Sequence, residues 1–107
     1  HYAPQTPLRI VPTPQLPVFL RDLLAQRRCF GLLCYSDAEH AAGNFLPAPA
    51  RRQLAPEPTA YARDLYAALR ELDRPEHELI VLEAIPDNSA WAAVADRLRR
   101  AAFGSGR

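Results

Sequence analysis

ELIVLEAI, residues 78–85, is the stretch that decides the fold of this 107-residue chain. It is a nearly continuous apolar run, and such runs are typical of strands that are covered on both faces, as in a parallel sheet. CFGLLCY, residues 29–35, is a second run of the same kind. The two runs therefore predict buried strands of a parallel sheet.

Two shorter segments complete the predicted sheet. LRIV, residues 8–11, is followed by Pro12, which has no backbone donor for a strand ladder. RRQLA, residues 51–55, is the weakest candidate and has prolines on both sides. With the two long runs, these segments give four predicted strands.

Apolar residues at helical spacing lie between the strands and follow the last one. They predict a helix over residues 17–28, a second helix within residues 58–75 and a third over residues 89–104. Ser89 is expected to cap the third helix and Gly104 to end it. The helices therefore alternate with the strands along the chain.

This alternation predicts an α/β fold. We expect a three-layer, Rossmann-like, mostly parallel sheet with helices on both faces, whose strand order stays open. In such a sheet ligands bind beyond the carboxyl ends of the strands. That edge is therefore where we expect any ligand site of the folded domain.

Three polar residues near the predicted strand ends are candidate ligand contacts: Asp37, Glu83 and Ser89. Asp37 opens DAEHAAGNF, residues 37–45, where a short helix is predicted, and an acidic residue is also favourable at a helix start. Glu83 lies inside the most apolar strand, where an unpaired charge is unfavourable. It is therefore a ligand or partner contact near the end of the strand, or a paired carboxylate, or a residue at an exposed edge. An arginine of a neighbouring helix is one candidate partner for such a carboxylate.

The sequence contains no catalytic set and no cofactor motif. No G-x-G-x-x-G follows the first predicted strand, where VPTPQLP, residues 11–17, stands instead, and the P-loop pattern is absent. We therefore expect no catalytic residue and no bound cofactor in this domain. His77 is expected at the solvated surface and Trp91 in the core.

The two cysteines are too far apart to form a disulfide with each other. Cys29 and Cys34 would lie on opposite faces of one strand. We expect both to be buried free thiols in a reducing compartment. No metal site is expected, because no C-x-x-C pattern or nearby histidine supports one.

Charge and hydropathy give no reason to expect nucleic acid or a membrane as a direct partner. The 13 basic and 12 acidic residues nearly cancel. No apolar run approaches the roughly 20 residues that cross a bilayer, so we expect a cytoplasmic protein. The sequence contains no methionine, so we expect it to be part of a longer or processed protein, and its oligomeric state stays open.

Four segments together resemble the C-terminal domain of bacterial threonylcarbamoyl-AMP synthase. They are HYAPQTPLRIV at residues 1–11, YARDLYAALRELD at 61–73, LIVLEAIP at 79–86 and DRLRRAA at 96–102. Their order and spacing match the family over nearly the whole chain, and residues 38–55 contribute little. The HYAP segment makes the combination specific.

The resemblance implies that a catalytic domain precedes His1 in the same polypeptide and is the partner of this domain. The full enzyme forms threonylcarbamoyl-AMP from L-threonine, bicarbonate and ATP, with magnesium, for the t6A modification of tRNA. This domain alone would be noncatalytic. Residues 1–7 would be an interdomain linker, which we call the strap, and residues 8–107 would be the Rossmann-like C-terminal domain.

The strap carries the site residues that the resemblance implies. His1 and Tyr2 would lie near the nucleotide, and Ala3 and Pro4 would keep the strap extended. The implied role of the domain is regulatory, because it would position the strap as a lid over the active site. Two alternatives stay open: a small-molecule-binding module, and a protein-interaction module for the tRNA-modification machinery.

Overall fold

A parallel sheet forms the centre of the described part of the chain. The computed structural model describes residues 2–42 and 50–106. The strands are β1 Leu8–Val11, β2 Phe30–Cys34, β3 Arg51–Gln53 and β4 Leu79–Glu83. Their order in the sheet is β1-β4-β2-β3, and every neighbouring pair is parallel. Each of the predicted strands is therefore present, including the weakest.

β4, from the stretch that predicted the fold, lies between β1 and β2 and is buried along its whole length. Its side chains alternate between two separate core clusters. Leu79 and Val81 belong to one cluster, and Ile80 and Leu82 belong to the other. The apolar run is continuous because both faces of this central strand are covered.

The first helix, α1, spans Leu16–Ala25 and packs on one face of the sheet. It ends earlier than predicted because the chain turns at Arg27, which has a positive φ of 56°. The amide of Arg28 donates to the carbonyl of Leu23, and that of Arg27 donates to the carbonyl of Leu24, both at 3.0 Å. This pair of bonds is the Schellman arrangement that closes a helix.

The second helix, α2, spans Pro58–Leu72, within the predicted segment. Glu57 caps it, since its carboxylate accepts hydrogen bonds from the amides of Thr59 at 3.1 Å and Ala60 at 2.8 Å. These bonds satisfy two of the donors that a helix start leaves free. The buried side chains of α2 are Tyr61, Leu65, Ala68, Leu69 and Leu72.

The third helix, α3, spans Ala92–Gly104 and follows a 3₁₀ turn at Ser89–Trp91. The prediction that Ser89 caps this segment is wrong. Asn88 is the cap, because its extended backbone places the side-chain oxygen 3.0 Å from the amide of Ala90. The predicted end of the helix at Gly104 is confirmed.

The helices cover both faces of the sheet. One core cluster joins α1 to one face, and a second joins α2 and α3 to the opposite face. Trp91 is 5 % exposed and belongs to the second cluster, so its predicted place in the core is confirmed. The predicted three-layer α/β arrangement is therefore confirmed.

The short helix predicted within residues 37–45 is described only in part. A 3₁₀ helix spans Ala38–Ala42, and residues 43–45 lie outside the described residues. The hydroxyl of Ser36 accepts a hydrogen bond from the amide of Ala38 at 3.3 Å. Ser36 therefore caps the start of this helix.

Two expectations about burial are wrong. Cys29 is exposed, because it lies in the turn before β2 rather than within the strand, whereas Cys34 is buried; both are free. His77 is buried because its ring turns inward, where Nδ1 lies 2.7 Å from the carbonyl oxygen of Leu72. The carbonyl of Leu72 also accepts a hydrogen bond from the amide of Arg74 at 3.0 Å, so the His77 ring is its second partner at the end of α2.

Candidate functional site

The described strap residues, 2–7, are docked on the folded domain. The carboxylate of Asp73, directly after α2, accepts four hydrogen bonds from them. The donors are the Tyr2 hydroxyl at 2.5 Å, the Gln5 amide at 3.1 Å, the Thr6 amide at 3.0 Å and the Thr6 hydroxyl at 2.7 Å. An ionised carboxylate has about four acceptor sites, so the strap uses the full capacity of Asp73.

The strap also contacts the C-terminal end of α3. The amide of Gly106 donates to the carbonyl oxygen of Pro4 at 3.2 Å. Ala3 packs so closely against Gly104 that a Cβ atom on this glycine would lie 2.8 Å from the Cβ of Ala3. The strap is therefore held between the ends of α2 and α3.

The environment of Tyr2 keeps its hydroxyl protonated. Burial, followed by the hydrogen bond to Asp73 and the negative charge of that carboxylate, raises the pKa of Tyr2 from 10.0 to about 12. Arg70, whose guanidinium lies 5.9 Å from the centre of the Tyr2 ring, acts in the opposite direction. Tyr66 packs edge-on at a centroid distance of 6.4 Å. Both the ring and the hydroxyl of Tyr2, the groups expected near a nucleotide, therefore contact this domain.

A cleft of about 590 Å³ lies between the strap and the segment that follows α2. Gln5 and Thr6 line it from the strap, and Arg74 and His77 line it from the body of the domain. The cleft therefore exists in this form only while the strap is docked.

A second polar cluster surrounds Glu83 at the end of β4. Glu83 is fully buried. Its Oε1 accepts hydrogen bonds from the amides of Tyr35 at 2.9 Å and Ser36 at 3.1 Å, and its Oε2 accepts from the hydroxyls of Thr13 at 2.8 Å and Ser36 at 2.5 Å. Glu83 is therefore a carboxylate with partners inside the protein, but these partners are amides and hydroxyls rather than an arginine. The alternative of an exposed edge is wrong, because β4 is a central strand.

Aromatic side chains pack beside this cluster. Trp91 contacts Tyr61 edge-on at a centroid distance of 5.3 Å and Tyr35 at 6.0 Å. The Tyr61 hydroxyl is buried and has no hydrogen-bond partner among the described residues. Burial and then the negative charge of Glu83 raise the pKa of Tyr61 well above its usual value. Tyr61 therefore stays a neutral phenol at physiological pH.

Asp37 and Ser89 also follow carboxyl ends of strands, but neither bonds the Glu83 carboxylate. Asp37 is exposed, and its Oδ1 accepts a hydrogen bond from the side chain of Gln53 at 3.3 Å. Ser89 lines a separate cleft of about 440 Å³ at the start of α3. The structure therefore brings Glu83 into a shared polar cluster without the other two residues.

A family model described as threonylcarbamoyl-AMP synthase, C-terminal domain, matches residues 1–103 of the chain. The chain belongs to this family. The family that the sequence segments suggested is therefore confirmed. Comparison with curated proteins and comparison with solved structures gave no match.

In this threonylcarbamoyl-AMP synthase C-terminal domain, the predicted site residues lie at opposite ends of the parallel strands. The strap enters β1 at Leu8, whereas Glu83 ends β4. In the parallel register Leu8 pairs with Ile80, and Val11 pairs with Glu83. The start of β1 and the level of Glu83 are therefore about 10 Å apart along the strands. His1 lies outside the described residues.

Asp73 and Gly104 both hold the strap, but neither was predicted from the sequence to do so. Asp73 ends the YARDLYAALRELD segment, and Gly104 was expected only to end a helix. A negative charge is unfavourable at the C-terminal end of a helix. The acidic residue directly after α2 is therefore the signal that could have pointed to a specific partner for Asp73.

Among residues 2–42 and 50–106, no three His, Cys, Asp or Glu side chains are grouped so that they could hold a metal ion. No helix in those two ranges has the length and apolarity that crossing a bilayer requires. The feature that these residues do provide is a docking surface for the strap.

Proposed function

We propose that this domain is the noncatalytic C-terminal part of a threonylcarbamoyl-AMP synthase and that it positions the strap for a catalytic domain that precedes it. The observation that carries the proposal is the docking of strap residues 2–7 on the Asp73 carboxylate. Membership in the family supports the presence of a catalytic partner in the same polypeptide.

The proposed enzyme forms threonylcarbamoyl-AMP from L-threonine, bicarbonate and ATP with release of pyrophosphate, and the product serves the t6A modification of tRNA. ATP and magnesium would bind to the catalytic domain, as the family resemblance implies. In this proposal the C-terminal domain contributes no catalytic residue, contacts no tRNA directly and acts in the cytoplasm.

A strap that is held on a folded domain by hydrogen bonds moves with that domain. Pro4 and Pro7 fix two of the backbone φ angles in the strap, and Asp73 holds the backbone amides of Gln5 and Thr6. A displacement of the domain is therefore passed along the strap to Tyr2 rather than absorbed within it. A lid that closes over a reactive adenylate excludes water from it.

Two deletions in the full-length protein test this role. Removing residues 1–107 eliminates both the strap and the domain, whereas removing residues 8–107 leaves the strap without its support. We expect both deletions to lower threonine-dependent pyrophosphate release while the catalytic domain keeps its circular dichroism spectrum. Full activity after removal of residues 8–107 would show that the strap works without this domain, which contradicts the proposal.

Small-molecule binding is a second candidate function. The cleft of about 440 Å³ beside Ser89 favours it, because this cleft lies beyond the carboxyl end of β4, where open α/β sheets bind ligands. Asp87 and Arg99 also line the cleft. A ligand of the folded state raises Tm, so thermal-shift measurements with nucleotides and amino acids test this candidate. A shift that Ser89→Ala abolishes would support it, and the absence of any shift would argue against it.

A further inference from the structure

Gly104, the last residue of α3, leaves room for the strap. A Cβ atom on Gly104 would lie 2.8 Å from the Cβ of Ala3, closer than such atoms approach in proteins. Among the described residues, no other atom outside the helix and the adjacent residues lies within 4 Å of that position. The strap is therefore the element that a side chain at residue 104 would displace.

The backbone of Gly104 does not itself require glycine. Of the described glycines, Gly106 is the one with a positive φ, 72°, whereas Gly104 continues the helix. Alanine is a better helix former than glycine, so α3 considered alone would favour alanine at residue 104. The glycine is therefore explained by the packing of Ala3 and not by local conformation.

We infer that Gly104 is a positioning residue that seats the strap on α3, and that Gly104 and Asp73 together set the balance between a docked and a released strap. The seat is a property of the domain alone. Its regulatory consequence rests on the proposed function, since the docked position determines where the residues before Ala3 enter the catalytic domain.

The two neighbours of Ala3 explain why this contact controls the whole strap. The hydroxyl of Tyr2 donates a hydrogen bond to Asp73, and the carbonyl of Pro4 accepts one from the amide of Gly106. Because Ala3 lies directly between these bonded residues, moving it away from Gly104 lengthens both hydrogen bonds. A single added methyl group therefore acts on the contacts with α2 and on those with α3 at once.

Amide hydrogen exchange of the 107-residue chain tests this inference. The reporters are the amides of Gln5 and Thr6, which donate to Asp73 in the docked state. We expect Gly104→Ala to speed the exchange of both amides about tenfold, because the strap spends more time released. The amides of Val81 and Leu82 in the central strand should keep their protection, which shows that the domain itself stays folded.

The double variant Ala3→Gly with Gly104→Ala provides the matched rescue. Removing the Cβ of Ala3 makes room for the new methyl group, so we expect exchange at Gln5 and Thr6 to return to within about twofold of the starting protein. Ala3→Val tests the same contact from the strap side and leaves α3 unchanged. It should also release the strap.

Three results would overturn the inference. They are unchanged exchange in Gly104→Ala, unchanged exchange in Ala3→Val, and failure of Ala3→Gly to rescue Gly104→Ala. None of these measurements depends on enzyme activity. If the strap is released as expected but the full-length protein keeps its activity, the proposed function fails while the seat at Gly104 stands.

Discussion

The hydroxyl of Tyr2 donates a hydrogen bond of 2.5 Å to the carboxylate of Asp73, although the two residues are 71 positions apart in the sequence. The same carboxylate holds the backbone of Gln5 and Thr6. One acidic residue at the end of α2 thus fixes the segment that the family resemblance assigns to an interdomain linker. The described strap residues are therefore part of the folded structure.

The Tyr2 phenol should ionise at a higher pH than a solvent-exposed tyrosine. Burial and the hydrogen bond to Asp73 raise its pKa from 10.0 to about 12. The neutral phenol therefore stabilises the folded state fully below pH 10, and this contribution is lost as pH rises through about 12. We expect Asp73→Asn to bring this pKa back towards 10. Absorbance titration of the phenolate band, with Tyr2→Phe subtracted, measures it. A Tyr2 pKa that Asp73→Asn leaves unchanged would contradict the assignment.

Acid should release the strap. Burial tends to raise the pKa of Asp73, but hydrogen bonds from Tyr2, Thr6 and Gln5 outweigh it and hold the pKa below the usual 3.8. The docked strap therefore adds stability above pH 3.8, and this stability is lost as pH falls through the lower folded-state value. The chemical shifts of the Gln5 and Thr6 amides should report release only under acid. Asp73→Asn should lack this transition.

Replacing Glu83 should destabilise the domain by an amount that depends on the replacement. Glu83→Ala leaves the half-buried amides of Tyr35 and Ser36 without this acceptor, so we expect the free energy of unfolding to fall by about 3 kcal/mol. In Glu83→Gln the amide oxygen can accept from those two amides while its NH₂ group donates to the hydroxyls. A loss of about 1 kcal/mol is therefore expected.

Urea denaturation measures both Glu83 variants, and Glu76→Gln at an exposed position is the control. Equal losses for Glu83→Ala and Glu83→Gln would argue against the hydrogen-bond explanation. The hydrogen-bond explanation would also fail if Glu76→Gln lowered the free energy of unfolding as much as Glu83→Gln does.

Removing the Tyr61 hydroxyl should not destabilise the domain. This hydroxyl is buried and finds no hydrogen-bond partner within residues 2–42 and 50–106, so Tyr61→Phe should raise the free energy of unfolding by up to about 1 kcal/mol. Tyr66→Phe, at a half-buried position on the same helix, should change it little. A marked loss of stability in Tyr61→Phe would mean that the hydroxyl has a partner.

Periodicity predicted the elements of the fold because burial is encoded locally. The continuous run around Val81 and the helical stripe of Leu65, Leu69 and Leu72 each carry their own signal. Helix ends were less accurate, since the turn at Arg27 uses a positive φ that arginine does not signal. Asn88 rather than Ser89 caps the last helical segment for a similar reason, because two adjacent residues could serve.

The contacts of the site could not be predicted, because they depend on which segments meet. Glu83 was noticeable as a charge in an apolar strand, but its partners follow β1 and β2, and only the strand order places those loops on either side of it. Asp73 and Gly104 contact the strap across most of the length of the sequence. Sequence spacing carries no information about such distant pairs.

The most direct test of the central claim is the kcat/KM for L-threonine of the full-length protein with Asp73→Ala, measured by pyrophosphate release. Asp64→Ala, on the exposed side of α2 where Asp64 pairs with Arg63, is the matched control. If Asp73 positions the strap, Asp73→Ala lowers kcat/KM by roughly tenfold and Asp64→Ala leaves it unchanged. An Asp73→Ala protein that is folded and as active as the control would contradict the account.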